Sequence, residues 1–508
     1  MIAPDPNWPY PLPVSGHDAI THLTTPPPAG VFRSYDIRGR VEGPMSHDPG
    51  MLTPFDADLI GRAFGSRLAE QGIEAVVVGH DSRAYAPVLA ASLVAGLLST
   101  GREVVLLGLA TTPMVYFAQQ HLGIGGAVAV TASHNPNGWA GFKLSEAPPT
   151  TLGPSELAEL HDRVRAGGFV RGVGRYVEHS VTAAYVDHLA AAVPAPRPLH
   201  VVVDGGNSIS GPVAAAAFTA AGHRVTPLNL ELDWRFPNHE PDPELLAARY
   251  QLAAAVTGTG ADLGIALDGD GDRLGVTDEA GGTVYADRVL ALLARDVLAR
   301  CPGAPILFDS KCSRLVPDTI TAAGGQPVMV RTGHSHLKRR MQELDAPFAG
   351  ERSGHFFDAV DHLGFDDAVY AGLRLAHVVA TAGCSVTELI AGLPQYESSP
   401  TMQAPCPDEV KEAVVARIAA VLAARGDARE IVTVDGVRAE YDDGWFLIRA
   451  STNLPGLVLL CEGADEDALH RHYRYLRAVV DAEPDVDREW ENDTLAAVVG
   501  APDDGERA

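Results

Sequence analysis

The sequence predicts an α/β protein with three related α/β domains, followed by a smaller α+β C-terminal domain. One pattern occurs three times: a short apolar run ends in an aspartate and small polar residues. The three runs are EAVVVGHDSR (residues 74–83), HVVVDGGNS (200–208) and PILFDSKCS (305–313). Their aspartates, Asp81, Asp204 and Asp309, are 123 and 105 residues apart, which is the size of a domain and not the period of a solenoid. Helical stretches rich in Ala and Leu alternate with these strands, as α/β layering requires.

The length of 508 residues corresponds to about three to four domains, each large enough for its own core. Changes in composition and the three strand signals place the expected boundaries. We expect a disordered proline-rich extension over residues 1–28, α/β domains over 29–176, 177–283 and 284–400, a C-terminal domain over 401–490 and an acidic tail over 491–508.

The composition argues against several classes of function. The formal net charge is −26 and no block of basic residues occurs, so we expect neither nucleic acid nor a membrane as a partner. The five cysteines are scattered without CxxC spacing, which predicts a reducing, cytoplasmic location and no disulfide framework or zinc site. The opening residues lack the basic and apolar regions of an export signal, and no apolar stretch is long enough to predict a membrane span.

A polar loop follows the apolar segment GGAVAV, which predicts a buried strand over residues 125–130. The loop contains SHNPNG, in which proline removes a backbone donor and Asn-Gly favours a tight turn. It presents the hydroxyl of Ser133 and the imidazole of His134, and Lys143 follows ten residues after the serine. Such a serine can carry a phosphoryl group when cations stabilise the transferred charge. The alternative is a strand-ending turn with an ordinary Ser-His pair.

A second loop alternates aspartate with glycine. In ALDGDGDRLG, Asp268, Asp270 and Asp272 are followed directly by Arg273. Small neighbours let one loop turn several carboxylates onto a single hard cation such as Mg²⁺. The alternative is a calcium loop between two helices, because its first, third, fifth and twelfth positions would be acidic here. Its sixth position requires glycine but is Arg273, and the flanking segments predict strands, so magnesium is favoured.

Together the two loops resemble the α-D-phosphohexomutase superfamily, in its phosphomannomutase/phosphoglucomutase branch. The resemblance covers roughly residues 30–490. It implies an isomerase in which phosphorylated Ser133 interconverts the 1- and 6-phosphates of mannose or glucose, through a hexose 1,6-bisphosphate that also acts as activator. It implies a Mg²⁺ ion held by Ser133, Asp268, Asp270 and Asp272. The expected partner is a small phosphosugar, and the expected assembly is a monomer or homodimer.

Two further motifs extend the expected site. Glu351 and Ser353 in GERSGH occupy alternate positions, so both can point the same way from an extended segment and pair with neighbouring sugar hydroxyls. In RASTN, Arg449 offers a guanidinium fork beside small hydroxyl and amide donors, which suits a phosphate that is not transferred. A hairpin turn is the alternative for this C-terminal motif.

The resemblance assigns roles to residues in all four domains. It implies catalytic roles for Ser133, Arg38, His134, Lys143, His334 and His355. It implies substrate contacts from Tyr35, Arg273, Lys311, Lys338, Glu351, Ser353, Arg449, Ser451, Thr452 and Asn453. The positively charged residues among these, in which we include His134, come from all four domains. We therefore expect the substrate to bind in a central cleft. Only four lysines occur in the chain, and Lys411 is the one outside these motifs.

Departures from the family pattern leave the sugar preference open. The order Ser-Thr-Asn over residues 451–453, Arg352 in the sugar motif and Ala140 near Lys143 all differ from the usual residues of this branch. A phosphoglucosamine mutase is a lesser alternative, because its metal loop has alanine in place of the second glycine. A sugar-phosphate sensor without catalysis is the alternative from another class; it would lack the carrier serine, a metal aspartate or the cations of the third domain, and none is missing.

Overall fold

The computed structural model describes residues 27–33, 35–41, 51–452 and 454–496. Most of the predicted proline-rich extension, Asn453 and residues 497–508 of the predicted tail lie outside the described residues. The chain forms two compact units, Met1–Thr283 with Asp361–Gly383 and Val284–Val360 with Cys384–Ala508.

The first unit contains two sheets. The strands of the first sheet are β1 Ile37–Arg40, β2 Ala75–His80, β3 Glu103–Leu109, β4 Gly126–Val130, β5 Trp139–Ser145 and β6 Tyr176–Glu178. Its helices are α1 Pro54–Glu70, α2 Ala86–Leu98, α3 Thr112–His121 and α4 Pro154–Ala166, after a 3-10 turn at Ala29–Val31. The strand order is β1-β5-β4-β2-β3-β6.

The second sheet follows in the chain. Its strands are β7 His200–Asp204, β8 Arg224–Leu228, β9 Leu263–Leu267, β10 Leu274–Asp278 and β11 Thr283–Val284. Its helices are α5 Thr182–Ala192, α6 Ser210–Ala220 and α7 Leu246–Thr259. The strand order is β11-β10-β9-β7-β8.

The third sheet opens the second unit. Its strands are β12 Pro305–Asp309, β13 Gln326–Val330, β14 Phe348–Gly350 and β15 Phe356–Asp358, in the order β13-β12-β14-β15. The helices of this part of the chain are α8 Ala286–Arg300, α9 Leu315–Ala322, α10 His334–Leu344, α11 Ala368–Ala382 and α12 Val386–Ala391. Helix α11 belongs to the first unit, where it packs against α6, β9 and β10.

The C-terminal sheet is antiparallel throughout. Its strands are β16 Glu397–Ser398, β17 Met402–Pro405, β18 Glu430–Val432, β19 Val437–Tyr441, β20 Gly444–Ala450 and β21 Gly456–Gly463. The order is β16-β21-β20-β19-β18, and β17 also pairs with β21. Helices α13 Lys411–Arg425 and α14 Glu466–Asp481 bury their apolar residues in one core with this sheet.

The three α/β sheets share one connectivity. In each, a central strand pairs in parallel with two neighbours: β2 with β3 and β4, β7 with β8 and β9, and β12 with β13 and β14. The second neighbour then pairs antiparallel with the next strand, which is β5, β10 or β15. The loops that join these antiparallel strands carry Ser133, the three aspartates and Glu351. The three loops singled out by the sequence therefore occupy the same position in three copies of one fold.

Local signals explain why these segments fold as they do. All residues of β4 and β9 are buried, as expected for strands covered on both faces of an α/β sheet. Helix α1 begins with a capping box in which Thr53 and Asp56 each accept the other's backbone N–H. Helices α1 and α2 approach closely at Gly61 and Gly96, which have no side chains. A Cβ on Gly61 would lie only 2.2 Å from the Leu93 carbonyl oxygen.

The predicted fold class is confirmed by this arrangement: three related α/β domains precede a smaller α+β domain. Within the part of the chain that the structure describes, no helix is both long and apolar enough to span a membrane.

Candidate functional site

Ser133 lies in the loop between β4 and β5 and is 2 % exposed. Its backbone has φ +52°, in the left-handed region that residues other than glycine rarely adopt. The Ser133 N–H donates to Thr131 Oγ1 at 2.8 Å. The Ser133 hydroxyl donates to Asp268 Oδ2 at 2.7 Å. The structure thus brings the predicted carrier serine together with the predicted metal loop.

The aspartate loop joins β9 to β10 and turns three carboxylates into the protein. Asp268, Asp270 and Asp272 are all 0 % exposed, and one oxygen of each lies within 4.8 Å of the other two. Asp268 Oδ1 accepts hydrogen bonds from the backbone N–H groups of Gly271, Asp272 and Arg273 at 3.0, 3.0 and 3.1 Å. These bonds wrap the loop around the Asp268 carboxylate.

The triad has the donor set of a hard divalent cation. Asp270 Oδ1 is buried and has no hydrogen-bond partner among the described residues, which is costly for a carboxylate oxygen unless a cation binds it. Burial, followed by the charges of Asp272 and Asp270, raises the pKa of Asp268 well above its usual value. A bound cation would relieve this crowding of negative charge. The residues present therefore fit a metal ion.

Lys143, on β5, pairs with two of the three carboxylates. Its Nζ donates to Asp270 Oδ2 at 2.8 Å and also to Asp272 Oδ2. Burial alone would lower the pKa of Lys143, but Asp270 and Asp272 outweigh it and raise the pKa well above its usual value. Thr112 Oγ1 donates to the same Asp270 oxygen at 2.5 Å. The lysine is therefore charged and compensates part of the negative charge of the triad.

Arg38 reaches the serine loop from the edge strand β1. Its guanidinium donates to Asn135 Oδ1 at 2.5 Å and to Asp36 Oδ2 at 2.6 Å. Because Asn135 is two residues beyond Ser133, the arginine is fixed beside the loop that carries the serine. Tyr35 lies in the bend just before β1 and is partly buried.

His134 contacts the proline-rich loop that precedes α7. Its Nδ1 lies 3.1 Å from Asp242 Oδ2. Burial and the charge of Arg273 together outweigh Asp242 and lower the pKa of His134 to about 4. Arg273 stays charged, because the carboxylates of Asp268 and its neighbours outweigh burial and raise its pKa. At neutral pH the imidazole is therefore uncharged, and His134 does not supply the positive charge that the sequence suggested.

GERSGH forms a hairpin turn between β14 and β15, so the predicted extended segment is wrong. The Glu351 N–H donates to the His355 carbonyl at 2.9 Å, and the Gly354 N–H donates to the Glu351 carbonyl at 3.0 Å. Gly354 has φ +89°, which glycine adopts at little cost. The Ser353 hydroxyl still lies 3.4 Å from Glu351 Oε2. The two side chains therefore converge, although a turn and not strand alternation brings them together.

The Glu351 carboxylate is buried and ionised. Its Oε1 accepts the Gly333 N–H at 2.6 Å, and its Oε2 lies 3.0 Å from His355 Nδ1. Burial alone would raise the pKa of Glu351, but His355 and Lys311 outweigh it and lower the pKa to about 2. Glu351 thus ties its own hairpin to the loop that leads into α10.

The other third-domain residues lie near the end of β12 and the start of α10. Lys311 is two residues beyond β12, and its Nζ is 3.5 Å from Asp309 Oδ2. His334 is the first residue of α10, and its ring centroid is 6.2 Å from that of His355. Lys338 lies one turn further along α10 and is fully buried. Lys311 and His334 therefore lie near the Glu351 hairpin: the charge of Lys311 acts on Glu351, and the His334 ring lies close to that of His355.

Arg449 lies on β20 and is paired with a buried carboxylate. Its Nε is 2.9 Å from Asp435 Oδ2. The same oxygen accepts the Ser310 hydroxyl at 2.9 Å and the Thr332 N–H at 3.2 Å. Asp435 therefore joins the predicted phosphate-binding arginine to two loops of the third α/β domain.

The loop after β20 is held by a lysine outside the predicted set. Lys411 Nζ donates to the carbonyls of Ser451 and Leu454 at 2.6 and 3.2 Å. The Leu454 N–H donates to Ser451 Oγ at 3.2 Å. Thr452 is partly buried in this loop, and Asn453 lies outside the described residues.

The sequence did not predict four residues that contact the loops of the candidate site: Arg83, Asp242, Asp435 and Lys411. Arg83 and Lys411 carried a usable signal. Arg83 lies two residues after the repeated strand-end aspartate Asp81, and Lys411 is the single lysine outside the motifs. Nothing in the spacing of the chain distinguishes Asp242 or Asp435 from other acidic loop residues.

Models of the phosphoglucomutase/phosphomannomutase family match the chain in four consecutive segments. The model of alpha/beta/alpha domain I matches residues 29–171, that of domain II matches 183–281, and that of domain III matches 285–396. The model of the C-terminal domain matches residues 402–477.

Individual proteins of this family are similar over nearly their whole length. A phosphoglucomutase of Neisseria gonorrhoeae is 38% identical over 456 residues, which are 89% of this chain and 97% of the relative. A phosphomannomutase/phosphoglucomutase of Pseudomonas aeruginosa is 38% identical over 448 residues, 87% of this chain and 94% of the relative. The crystal structure of a phosphoglucomutase/phosphomannomutase family protein of Burkholderia thailandensis is 37% identical, with a TM-score of 0.82, and the match covers 89% of this chain and 97% of that one.

Proposed function

Because the chain belongs to the phosphoglucomutase/phosphomannomutase family, we propose that it interconverts the 1-phosphate and the 6-phosphate of glucose, mannose or both. Such an enzyme is an isomerase with a small phosphosugar as substrate. The observation that carries the proposal is the 2.7 Å hydrogen bond from Ser133 Oγ to Asp268, inside a buried triad of carboxylates. A serine held beside a metal-binding loop can donate a phosphoryl group and take one back.

The proposed cycle starts with phosphorylated Ser133. The bond between its Oγ and phosphorus breaks as a free 1- or 6-hydroxyl oxygen of the sugar phosphate bonds to that phosphorus, which gives a hexose 1,6-bisphosphate. The hydroxyl proton passes to a base of the protein. In the second half, Ser133 Oγ attacks the other phosphorus, and the sugar oxygen that is released takes the proton back. The enzyme regains its phosphoserine and the product is the isomeric monophosphate.

The residues around Ser133 would stabilise charge and move the proton. Phosphoryl transfer depends mainly on positioning and charge neutralisation. Lys143 is buried and charged, so it can stabilise the transferred group, and Arg38 adds a second cation fixed to the same loop. His134 stays in the proposed catalytic set beside Ser133, but its pKa of about 4 makes it a weak proton acceptor at pH 7. Arg38 and Lys143, with His334 and His355 of the third α/β domain, are the candidates for moving the hydroxyl proton. Mg²⁺ held by the three aspartates and an oxygen on Ser133 would supply further neutralisation of phosphoryl charge.

We propose substrate contacts from residues of both units, and the sugar and the unreactive phosphate are assigned to residues of the second. The ionised Glu351 carboxylate can accept hydrogen bonds from sugar hydroxyls, and the Ser353 hydroxyl can donate or accept one. Arg449 suits the phosphate that is not reacting, because a guanidinium binds phosphate through two parallel N–H groups. The remaining proposed substrate contacts are Tyr35, Arg273, Lys311, Lys338, Ser451, Thr452 and Asn453. A hexose 1,6-bisphosphate would serve as activator by phosphorylating Ser133.

We keep the domain boundaries expected from the sequence, with ends near residues 176, 283, 400 and 490. We also keep a monomer or homodimer as the assembly. We propose a cytoplasmic location because the five cysteines are scattered and lack CxxC spacing.

The test is phosphorus NMR of the purified protein with Mg²⁺ and a trace of glucose 1,6-bisphosphate. Glucose 1-phosphate, mannose 1-phosphate and glucosamine 1-phosphate are offered in separate tubes. We expect the first two to be converted to their 6-phosphates. Conversion of the glucosamine compound alone would replace the proposed substrate with an amino sugar. No conversion in any tube, with the phosphosugars still bound, would favour a sensor without catalysis.

A further inference from the structure

We propose that Arg83, held by Asp81, is the positioning residue that fixes Ser133 for phosphoryl transfer. The inference rests on the proposed function of Ser133. Arg83 lies three residues beyond β2, the central strand of the first sheet, and its side chain is 1 % exposed. It acts through the backbone of the serine loop.

The Arg83 guanidinium donates hydrogen bonds to three backbone carbonyls of the serine loop. Arg83 Nη2 donates to the Ser133 carbonyl at 2.9 Å and to the Asn135 carbonyl at 2.5 Å. Its Nη1 donates to the Pro136 carbonyl at 2.9 Å. Converging carbonyl dipoles repel one another, and a buried polar group is costly unless it finds a partner. A positive charge at the point of convergence makes this tight arc of backbone favourable.

Asp81 holds the loop on the other side of the serine. Its Oδ2 accepts the Thr131 hydroxyl at 2.8 Å and the Ala132 N–H at 3.3 Å. The same oxygen is 3.3 Å from Arg83 Nε, and Asp81 Oδ1 accepts the Arg83 N–H at 3.0 Å. The carboxylate therefore binds the residues before Ser133, and the guanidinium binds Ser133 and the residues after it.

Two strained residues lie in this arrangement. Ser133 has φ +52° and Phe236 has φ +50°, and for a bulky aromatic residue such a value is a genuine outlier. The Phe236 ring lies over the guanidinium, with Arg83 Cζ 5.3 Å from the ring centroid. Strain of this kind persists only where surrounding contacts over-determine the conformation. We infer that without Arg83 the serine backbone relaxes and its hydroxyl leaves the position beside Asp268.

A lysine cannot replace this arginine. Guanidinium presents five N–H donors in a fixed planar fork, whereas ammonium is a compact charge with three donors. The third sheet offers an internal contrast, because Asp309-Ser310-Lys311 corresponds there to Asp81-Ser82-Arg83. Asp309 Oδ1 accepts the N–H of Arg352 in the Glu351 hairpin at 3.0 Å. The aspartate anchor is thus used twice, while the Lys311 side chain remains 15 % exposed and binds no loop carbonyls in the described residues.

The experiment compares Arg83→Met and Arg83→Lys with the wild type and with Arg102→Met. Arg102 is a matched control: it lies at the opposite end of the same strands and donates to the Ile73 carbonyl. For each protein, kcat and KM for glucose 1-phosphate are measured, and intact-mass spectrometry follows phosphorylation of Ser133 by glucose 1,6-bisphosphate. Thermal unfolding checks that each variant is folded.

We expect Arg83→Met to lower kcat by about 100-fold, because small misplacements of a reacting group have effects of this size. Phosphorylation of Ser133 should slow in parallel, and KM should stay within about twofold, since the Arg83 side chain binds backbone carbonyls of the serine loop and is not a proposed substrate contact. Arg83→Lys should remain at least about tenfold below the wild type, because it keeps the charge and loses the fork.

Three results would overturn the inference. The first is a folded Arg83→Met variant that turns over as fast as Arg102→Met. The second is a rise in KM that matches the loss of kcat, because a positioning residue for Ser133 would not weaken sugar binding. The third result matters if Arg83→Met does not fold. In that case a folded Arg83→Lys variant with the kcat of the wild type would reject the positioning role of Arg83. An inactive wild type would instead reject the proposed function itself.

Discussion

Lys143 Nζ donates to Asp270 Oδ2 at 2.8 Å, and neither side chain is more than 3 % exposed. A fully buried ion pair gives little net stability, because desolvation of two charges offsets their attraction. Removing one partner has a larger effect, since it leaves the other charge buried and uncompensated. At this site the uncompensated charge would belong to a carboxylate triad that fits a cation. The lysine therefore links the stability of the first unit to the proposed metal site.

Lys143→Met should destabilise the protein by about 3–5 kcal/mol when magnesium is chelated. Added Mg²⁺ should then raise the urea midpoint more in the variant than in the wild type, because the cation replaces the missing positive charge. Arg62→Met is the control, since Arg62 forms a partly exposed pair with Asp58 that should contribute no more than about 1 kcal/mol. Equal magnesium effects in all three proteins would contradict the link.

Ser133→Ala should abolish turnover and leave the fold intact. The loss of one hydrogen bond to Asp268 should change the unfolding free energy by only about 1 kcal/mol. Intact-mass spectrometry should show no phosphoryl group on the variant after incubation with glucose 1,6-bisphosphate. Ser155→Ala, at an exposed position on α4, should be phosphorylated and active like the wild type. Substantial turnover by Ser133→Ala would reject this serine as the carrier.

The loops that carry Ser133 and the aspartates could be predicted because their signals are local. An apolar run that is followed closely by proline, glycine or alternating aspartates predicts the end of a strand. The structure confirms this for β4, which ends at Val130, and for β9, which ends at Leu267. The Glu351 hairpin shows where such reasoning fails. The alternation of Glu351 and Ser353 predicts an extended segment, whereas Gly354 with positive φ folds that segment back on itself.

The supporting contacts could not be predicted because they join distant parts of the chain. Lys411 reaches carbonyls about 40 residues away, and Asp435 accepts hydrogen bonds from residues more than 100 positions before it. The charge state of His134 is equally non-local, since burial and Arg273 decide it. Sequence periodicity reports which face of a segment is buried, but not which partner covers that face.

Glu351 should make stability depend on pH in the acidic range. Its pKa is about 2 in the folded protein and about 4.5 in an unfolded chain, so the unfolded state binds the proton more tightly. The stabilisation is therefore present above about pH 4.5 and is lost as the pH falls towards 2, by about 3 kcal/mol in total. Urea unfolding at pH values from about 5.5 to 3 measures this slope.

Glu351→Gln should flatten that slope relative to the wild type. Glu343→Gln is the control, because Glu343 forms a half-exposed pair with Arg340 on α10 and should leave the slope nearly unchanged. Identical slopes in all three proteins would show that the Glu351 carboxylate is not held in its charged form by His355 and Lys311.

Asp435→Asn should weaken substrate binding more than it slows turnover. Asp435 orients Arg449 through its Nε atom, so the guanidinium should lose its fixed direction towards the proposed non-transferred phosphate. We expect KM for glucose 1-phosphate to rise about tenfold, which corresponds to roughly 1.4 kcal/mol of binding, while kcat stays within about threefold. Asp443→Asn, which alters an exposed ion pair with Arg471 in the same domain, is the control. An unchanged KM, or a fall in kcat alone, would show that Asp435 does not act through Arg449.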